Sequence, residues 1–299
     1  MRTLLYQAYG SDDIKNELLF SLVSLLPFAS EYQYIIKIYT DDESYFNRPF
    51  LEDLRIHFEP LTPERIADWQ GEDQFVHRLK IKLIQDFMEK GGTEGLYLDT
   101  DTIFTRSPDS VFDGIHRGNY WMHVSEGKIF PSKNALFQKI ARFVRNNPDN
   151  LAGLPYATEI LGMEMYNAGL IGFDYRLGNE IDKVLELNDG LYELYHKHIM
   201  EQLAFSLVLS KNFDVLEAKP FVFHYWNLKE IRPLLKSFFE EFGMADAQTV
   251  VQKSTTINPQ QLLTDKMKFL SKKRNRLKNL LGFGPKYVAP ELKDLMVNP

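Results

Sequence analysis

The chain has 299 residues, 44% of them apolar and 13% aromatic, with 35 Lys and Arg against 41 Asp and Glu and no cysteine. This composition excludes a disordered chain. The missing thiols exclude a disulfide framework, a thiolate nucleophile and a Cys-ligated metal cluster. The net charge of −6 argues against a general nucleic-acid binder, which needs a basic surplus.

Residues 3–9 read as a strand ending at Gly10, an apolar run too short for a signal peptide. Asp12 or Asp13 then caps a helix that Pro27 is expected to stop near Leu26. Residues 34–40 and 56–61 are strand candidates, and Phe75, Leu79, Leu83 and Phe87 mark a helix over 73–89, ended by Gly91-Gly92. The strand Gly95-Leu96-Tyr97-Leu98 runs into Asp99-Thr100-Asp101. Further strands are expected at 119–124 and 168–173, and helices at 133–144, 177–198 and 201–210. Residues 221–226 form an aromatic strand or loop, and the polar residues 244–263 read as a linker. Alternating strands and helices predict an α/β fold with a mostly parallel, Rossmann-like sheet and helices on both faces. No stretch approaches the roughly 18–20 uncharged apolar residues of a membrane span, so a cytoplasmic protein is expected.

The charge is unevenly distributed. Residues 264–284 carry seven basic residues and one acid, a net of +6, leaving a body of −12. Met267, Leu270, Leu277 and Leu281 share one helical face there, predicting a basic amphipathic helix. The organisation expected is a catalytic domain over 1–245 and a linker with this basic tail over 246–299. The tail either lies on an anionic membrane surface at the inner face, folds onto the acidic body, or pairs with another protomer.

The chemistry concentrates at Asp99 and Asp101. Ligands bind at the carboxyl ends of strands in open α/β sheets. Two carboxylates spaced i, i+2 on a strand end can converge on a hard divalent cation whose other ligands are water and substrate phosphates. Taken alone, such a pair is more often a solvated turn. Three further features raise its standing: the cations Arg78 and Lys82 on the preceding helix, the small residues of Asn167-Ala168-Gly169, and His224, an imidazole that Mn²⁺ accepts beside oxygens.

In order and spacing, these elements resemble the metal-dependent nucleotide-sugar glycosyltransferases of the type-A fold, nearest the galactosyltransferase and glycogenin-like family. The resemblance rests on Arg78-Leu79-Lys80 with Lys82, Leu96-Tyr97-Leu98-Asp99-Thr100-Asp101, Asn167-Ala168-Gly169, Glu201-Gln202 and His224-Tyr225-Trp226. It implies that Asp99, Asp101 and His224 hold Mn²⁺ or Mg²⁺. It places Ala8, Tyr9 and Gly10 under the nucleotide, with Tyr9 stacking on the base. Arg78, Lys82, Thr100 and Lys229 fall to the donor, with Asn167, Ala168 and Gly169 facing its sugar. Glu201 and Gln202 stand beside the anomeric carbon, where Glu201 stabilises the cation or acts as a transient nucleophile and Gln202 is the alternative. The reaction implied is sugar transfer from a UDP-sugar to a hydroxyl of a glycan or lipid-linked acceptor, with retention, as in polysaccharide biosynthesis. The chain departs from the family in carrying Glu201 where Asp is common, and in lacking the Gly-rich segment after the histidine. Two other readings stay open: a catalytically degenerate nucleotide-binding or scaffold protein of this fold, and a haloacid-dehalogenase-like phosphatase with Asp99 as nucleophile.

Overall fold

In a computed structural model, residues 2–29, 34–275, 284 and 286–296 are described. The central sheet contains β1 (Arg2–Ala8), β2 (Ile35–Thr40), β3 (Ile56–Pro60) and β4 (Glu94–Leu98). Beyond a short β5 (Thr102–Phe104) come β6 (Tyr120–Met122), β7 (Ser125–Lys128) and β8 (Glu164–Tyr166), which pair antiparallel with each other, and β9 (Leu170–Asp174). β10 (Val215–Glu217) and β11 (Val222–His224) complete the set. The seven-stranded order is β10-β6-β9-β4-β1-β2-β3. β9 runs antiparallel to both neighbours, and the other pairings are parallel. This is the mostly parallel sheet that the strand–helix alternation predicts.

Side-chain alternation splits the core between two faces. Leu4, Tyr6, Leu96 and Leu98 pack on one side with α1 (Asp12–Ala29) and the later α9 (Arg232–Phe242). Leu5, Tyr97, Ile171 and Phe173 pack on the other with α3 (Arg78–Glu89), α7 (Ile181–Leu194) and α8 (Met200–Asn212). Further helices include α2 (Pro63–Gln70), α4 (Asp109–His116), α5 (Ala135–Asn146) and α6 (Pro148–Leu151). Because Tyr97 points toward α3 and α8, Asp99, two residues on, emerges on that same side.

Several boundaries differ from expectation. α1 continues to Ala29 with Pro27 inside it, since a proline in the last turn forfeits one main-chain bond while keeping a helical φ. α3 begins only at Arg78, because Gln74 sits at φ 51 and the segment before it is a chain of turns. The polar stretch 244–263 is no open linker. Asp246 caps α10 (Ala247–Ser254) and Asn258 caps α11 (Pro259–Ser271), each through a side-chain bond to a backbone N–H. Val250 and Leu262 are buried in the core shared with α1 and α9. Of the basic helix expected over 264–284, residues 264–271 are the end of α11; Lys272 breaks it, turning extended at ψ 131, and residues 273–275 are helical again. Residues 276–283 of that expectation lie outside the described residues. Among the described residues, no helix is long and apolar enough to cross a membrane.

Candidate active site

Two strand pairings assemble the site. β4 pairs antiparallel with β9, Leu98 opposite Leu170, and the ladder continues as Asp99 N–H donates to Gly169 O at 2.9 Å. β5 pairs antiparallel with β11, placing His224 opposite Thr102, and Tyr225 N–H donates to Asp101 O at 2.9 Å. Residues 99–101, 167–169 and 224, far apart in sequence, thus meet at the carboxyl end of β4.

Asp99, Asp101 and His224 each offer one ligand atom, and these atoms lie within 4.8 Å of one another. His224 Nε2 stands 3.0 Å from Asp101 Oδ1 and 3.8 Å from Asp99 Oδ2. Two carboxylates and an imidazole suit a Mn²⁺- or Mg²⁺-like ion. Asp101 and His224 are buried and Asp99 is partly exposed, so the set is shielded on one side and open on the other. The residues present therefore fit such a metal.

A buried cation organises the inner side. Lys80, on α3, has its ammonium 2.7 Å from Glu201 Oε1 and 3.2 Å from Asp99 Oδ1, and it donates to Ala168 O at 2.9 Å. Burial alone would lower its pKa, but the charges of Asp99 and Glu201 outweigh that and hold it above its ordinary value. Tyr97 donates to Asp99 Oδ1 at 2.9 Å, and burial, with the charge of Asp99, drives its phenol well up.

A second network lies behind the metal-site acids. Burial alone would raise the Asp101 carboxyl, yet His224 and Lys229 hold it below the usual carboxylate range. Lys229 donates to Asp101 Oδ2 at 2.6 Å and reaches Glu17 Oε1 at 3.5 Å. Glu17, buried on α1, also accepts from Arg232 Nε at 2.9 Å and from Thr100 Oγ1 at 3.4 Å. His123 packs edge-on against His224, and burial, with His224 beside it, pushes it down to about 4.

A cleft of about 520 Å³ opens over this constellation, lined by Asp99, Asp101, Asn167, Gln202, His224 and Lys229 among others. Glu201 also lines it, but its carboxylate is tied to Lys80. Gln202 Nε2 donates to Glu126 Oε2 at 2.9 Å, and Gln202 Oε1 lies 3.4 Å from Ala168 N.

Not every expected residue joins the cleft. Arg78 turns away, pairing with Asp189 of α7 at 2.9 Å and donating to Trp69 O at 2.9 Å in a separate depression. Lys82 bonds Gln85 on its own helix. Two residues along a helix are 200° around it, so with Lys80 pointing inward, Arg78 and Lys82 both point outward. Ala8, Tyr9 and Gly10 end β1 beside β4, with Gly10 at φ 82 and its N–H on Asp41 Oδ2 at 2.9 Å. They are not among the cleft's lining residues. Gly169 was expected to admit a ligand. The group it admits is the His224 ring, since a Cβ at 169 would fall 2.1 Å from Nδ1. Sequence reasoning gave no role to Lys80, Glu126, Glu17 or Arg232. No local signal singled out Lys80, since Lys82 is likewise flanked by apolar residues in this amphipathic helix.

No protein-family model matches the chain, and no curated protein compared with it is similar in sequence. Solved structures are similar in fold. One is the glycosyltransferase GlyE of Streptococcus pneumoniae TIGR4, with TM-score 0.50 and 14% identity over 86% of this chain and 64% of that one. Others are mouse xyloside xylosyltransferase 1, with TM-score 0.49 and 14% identity over 73% and 86%, and the galactosyltransferase LgtC in complex with donor and acceptor sugar analogs, with TM-score 0.47 and 12% identity over 72% and 73%. The chain therefore spans just under two thirds of the length of GlyE. Its fold is the type-A glycosyltransferase fold.

Proposed function

We propose that the protein is a metal-dependent glycosyltransferase moving a sugar from a nucleotide-diphosphate sugar to a hydroxyl of a glycan or lipid-linked acceptor. The observation that carries this reading is the convergence of Asp99, Asp101 and His224 at the carboxyl end of β4, beneath an open cleft in this fold. Asp99, Asp101 and His224 would hold Mn²⁺ or Mg²⁺, which when bound supplies charge neutralisation to a diphosphate leaving group. UDP is the nucleotide favoured by the family resemblance, with Tyr9 beneath the base.

In the reaction, the bond from the anomeric carbon to the phosphate oxygen breaks, the acceptor oxygen bonds to that carbon, and its proton passes to the departing diphosphate. Lys229, half exposed at the cleft, is the cation best placed to turn from Asp101 to the diphosphate. Arg78 and Lys82 would reach the donor only by leaving their present partners. The carboxamide of Gln202 and the main chain at 168–169 line the cleft where the sugar is expected. Because Lys80 holds the Glu201 carboxylate at 2.7 Å, we assign Glu201 an electrostatic role and Gln202 the position nearest the developing cation. Retention follows from the resemblance.

The test is a stability screen with nucleoside diphosphates and Mn²⁺. One nucleotide should raise the melting temperature only with metal, and Asp99→Ala and Asp101→Ala should abolish the rise. Stabilisation that ignores metal, or survives both substitutions, removes the basis for the reading. Metal-dependent binding with no transfer to any acceptor favours the degenerate binding protein instead. For the acceptor, exposed Met267 with exposed Lys268, Lys272, Lys273 and Arg274 supports a membrane-surface substrate and a peripheral location at the inner face. Anionic vesicles that sediment wild type and a Lys272→Glu/Lys273→Glu variant equally would count against it.

A further inference from the structure

We propose that Asn167 is a positioning residue that selects the tautomer of His224 and so decides which ring nitrogen faces Asp99 and Asp101. The inference rests on the metal reading above. Asn167 Oδ1 accepts two bonds, from Gly169 N–H at 3.0 Å and from His224 Nδ1 at 2.9 Å. A backbone N–H can only donate, so the atom it meets is the carboxamide oxygen and the amide cannot be flipped. Nδ2 at the other end donates to Glu126 Oε1 at 3.2 Å, which locks the same orientation.

An oxygen that only accepts requires the hydrogen to be on Nδ1 of His224. A neutral imidazole carries one N–H, so Nε2 then presents its lone pair. Nε2 is the nitrogen directed at the carboxylates, 3.0 Å from Asp101 Oδ1. In the opposite tautomer, Nε2–H would donate to Asp101, and the lone pair needed for a metal would be turned away. Asn167 and Asp101 thus compete for the single hydrogen; Asp101 is already neutralised by the Lys229 ammonium at 2.6 Å, whereas Gly169 N–H fixes the Asn167 oxygen in advance. Gly169 completes the arrangement, since any Cβ there would displace the ring from Asn167. The Asn-Ala-Gly segment therefore serves the histidine first, and a donor sugar only through the amide nitrogen and main chain.

The experiment compares full-length wild type, Asn167→Leu and Asn167→Asp. The ring ¹⁵N signals of His224 are recorded in metal-free protein as pH is raised until the imidazole is neutral. Mn²⁺ alone, without nucleotide, is titrated by electron paramagnetic resonance. Wild type should show Nδ1–H. The leucine variant should switch to Nε2–H and bind Mn²⁺ roughly 10–100-fold more weakly, the usual effect of losing such a partner. The aspartate variant retains an accepting oxygen and should keep the tautomer. Nδ1–H persisting in Asn167→Leu, or Mn²⁺ affinity unchanged by it, overturns the proposal. The switch between wild type and Asn167→Leu, in a wild type that binds no Mn²⁺, upholds Asn167 in its role and overturns the metal reading instead.

Discussion

Replacing Lys80 by Met removes one charge and keeps nearly the whole aliphatic stem, so the effect isolates the ammonium. That ammonium contacts Glu201, Asp99 and Ala168 O, and its side chain is 4% exposed. The two acids respond differently, because Asp99 is 27% exposed and can recover water whereas Glu201 is 4% exposed and cannot. The penalty therefore falls on Glu201, and stranding one partner of a buried pair costs about 3–5 kcal/mol. Urea unfolding followed by tryptophan fluorescence at pH 8 measures the deficit. Lys80→Met/Glu201→Gln should recover more than about 1 kcal/mol of the loss, because the two positions are coupled. A deficit under about 1 kcal/mol at pH 8, or one that Glu201→Gln does not relieve, would show that this pair does not hold the inner wall of the site.

Two further outcomes follow from the geometry. Gly169→Ala forces an atom to within 2.1 Å of His224 Nδ1, against an ordinary contact of about 3.5–4.0 Å, so the ring or the strand must shift. It should lose about 1–3 kcal/mol and most of its Mn²⁺ affinity, and a variant with wild-type melting temperature and metal binding would contradict the packing described. Lys229→Ala removes a cation that neutralises Asp101 at 2.6 Å. Calorimetry should find Mn²⁺ alone bound as well as or better than by wild type, and a nucleoside diphosphate bound about tenfold more weakly. Loss of metal affinity would mean that Lys229 supports the metal-site acids rather than the diphosphate.

Much of the fold was legible from local pattern. β4 ends in Asp99-Thr100-Asp101 because its apolar run stops there, and the β-branched and aromatic residues of 34–40 mark β2. The errors lie where local pattern carries less information than tertiary contact. The polar 244–263 segment is helical because Asp246 and Asn258 cap its helices and Val250 and Leu262 find the α1–α9 core. The start of α3 was placed early because Phe75 continues the helical spacing, although turns occupy that stretch.

For the site, the sequence determined the residue types: two acids after a strand, an Asn-Ala-Gly segment, a Glu-Gln pair and one histidine among aromatics. What it could not decide is which cation faces inward. Arg78, Lys80 and Lys82 are equivalent as letters, and only the rotation of α3 against the sheet buries Lys80 and turns the other two away. Nor could it decide what Gly169 leaves room for, since the β4–β9 and β5–β11 registers are long-range pairings that no local signal encodes. Composition and periodicity act over a few residues and determined the elements. The tertiary structure, by setting register and helix rotation, determined which of their side chains meet.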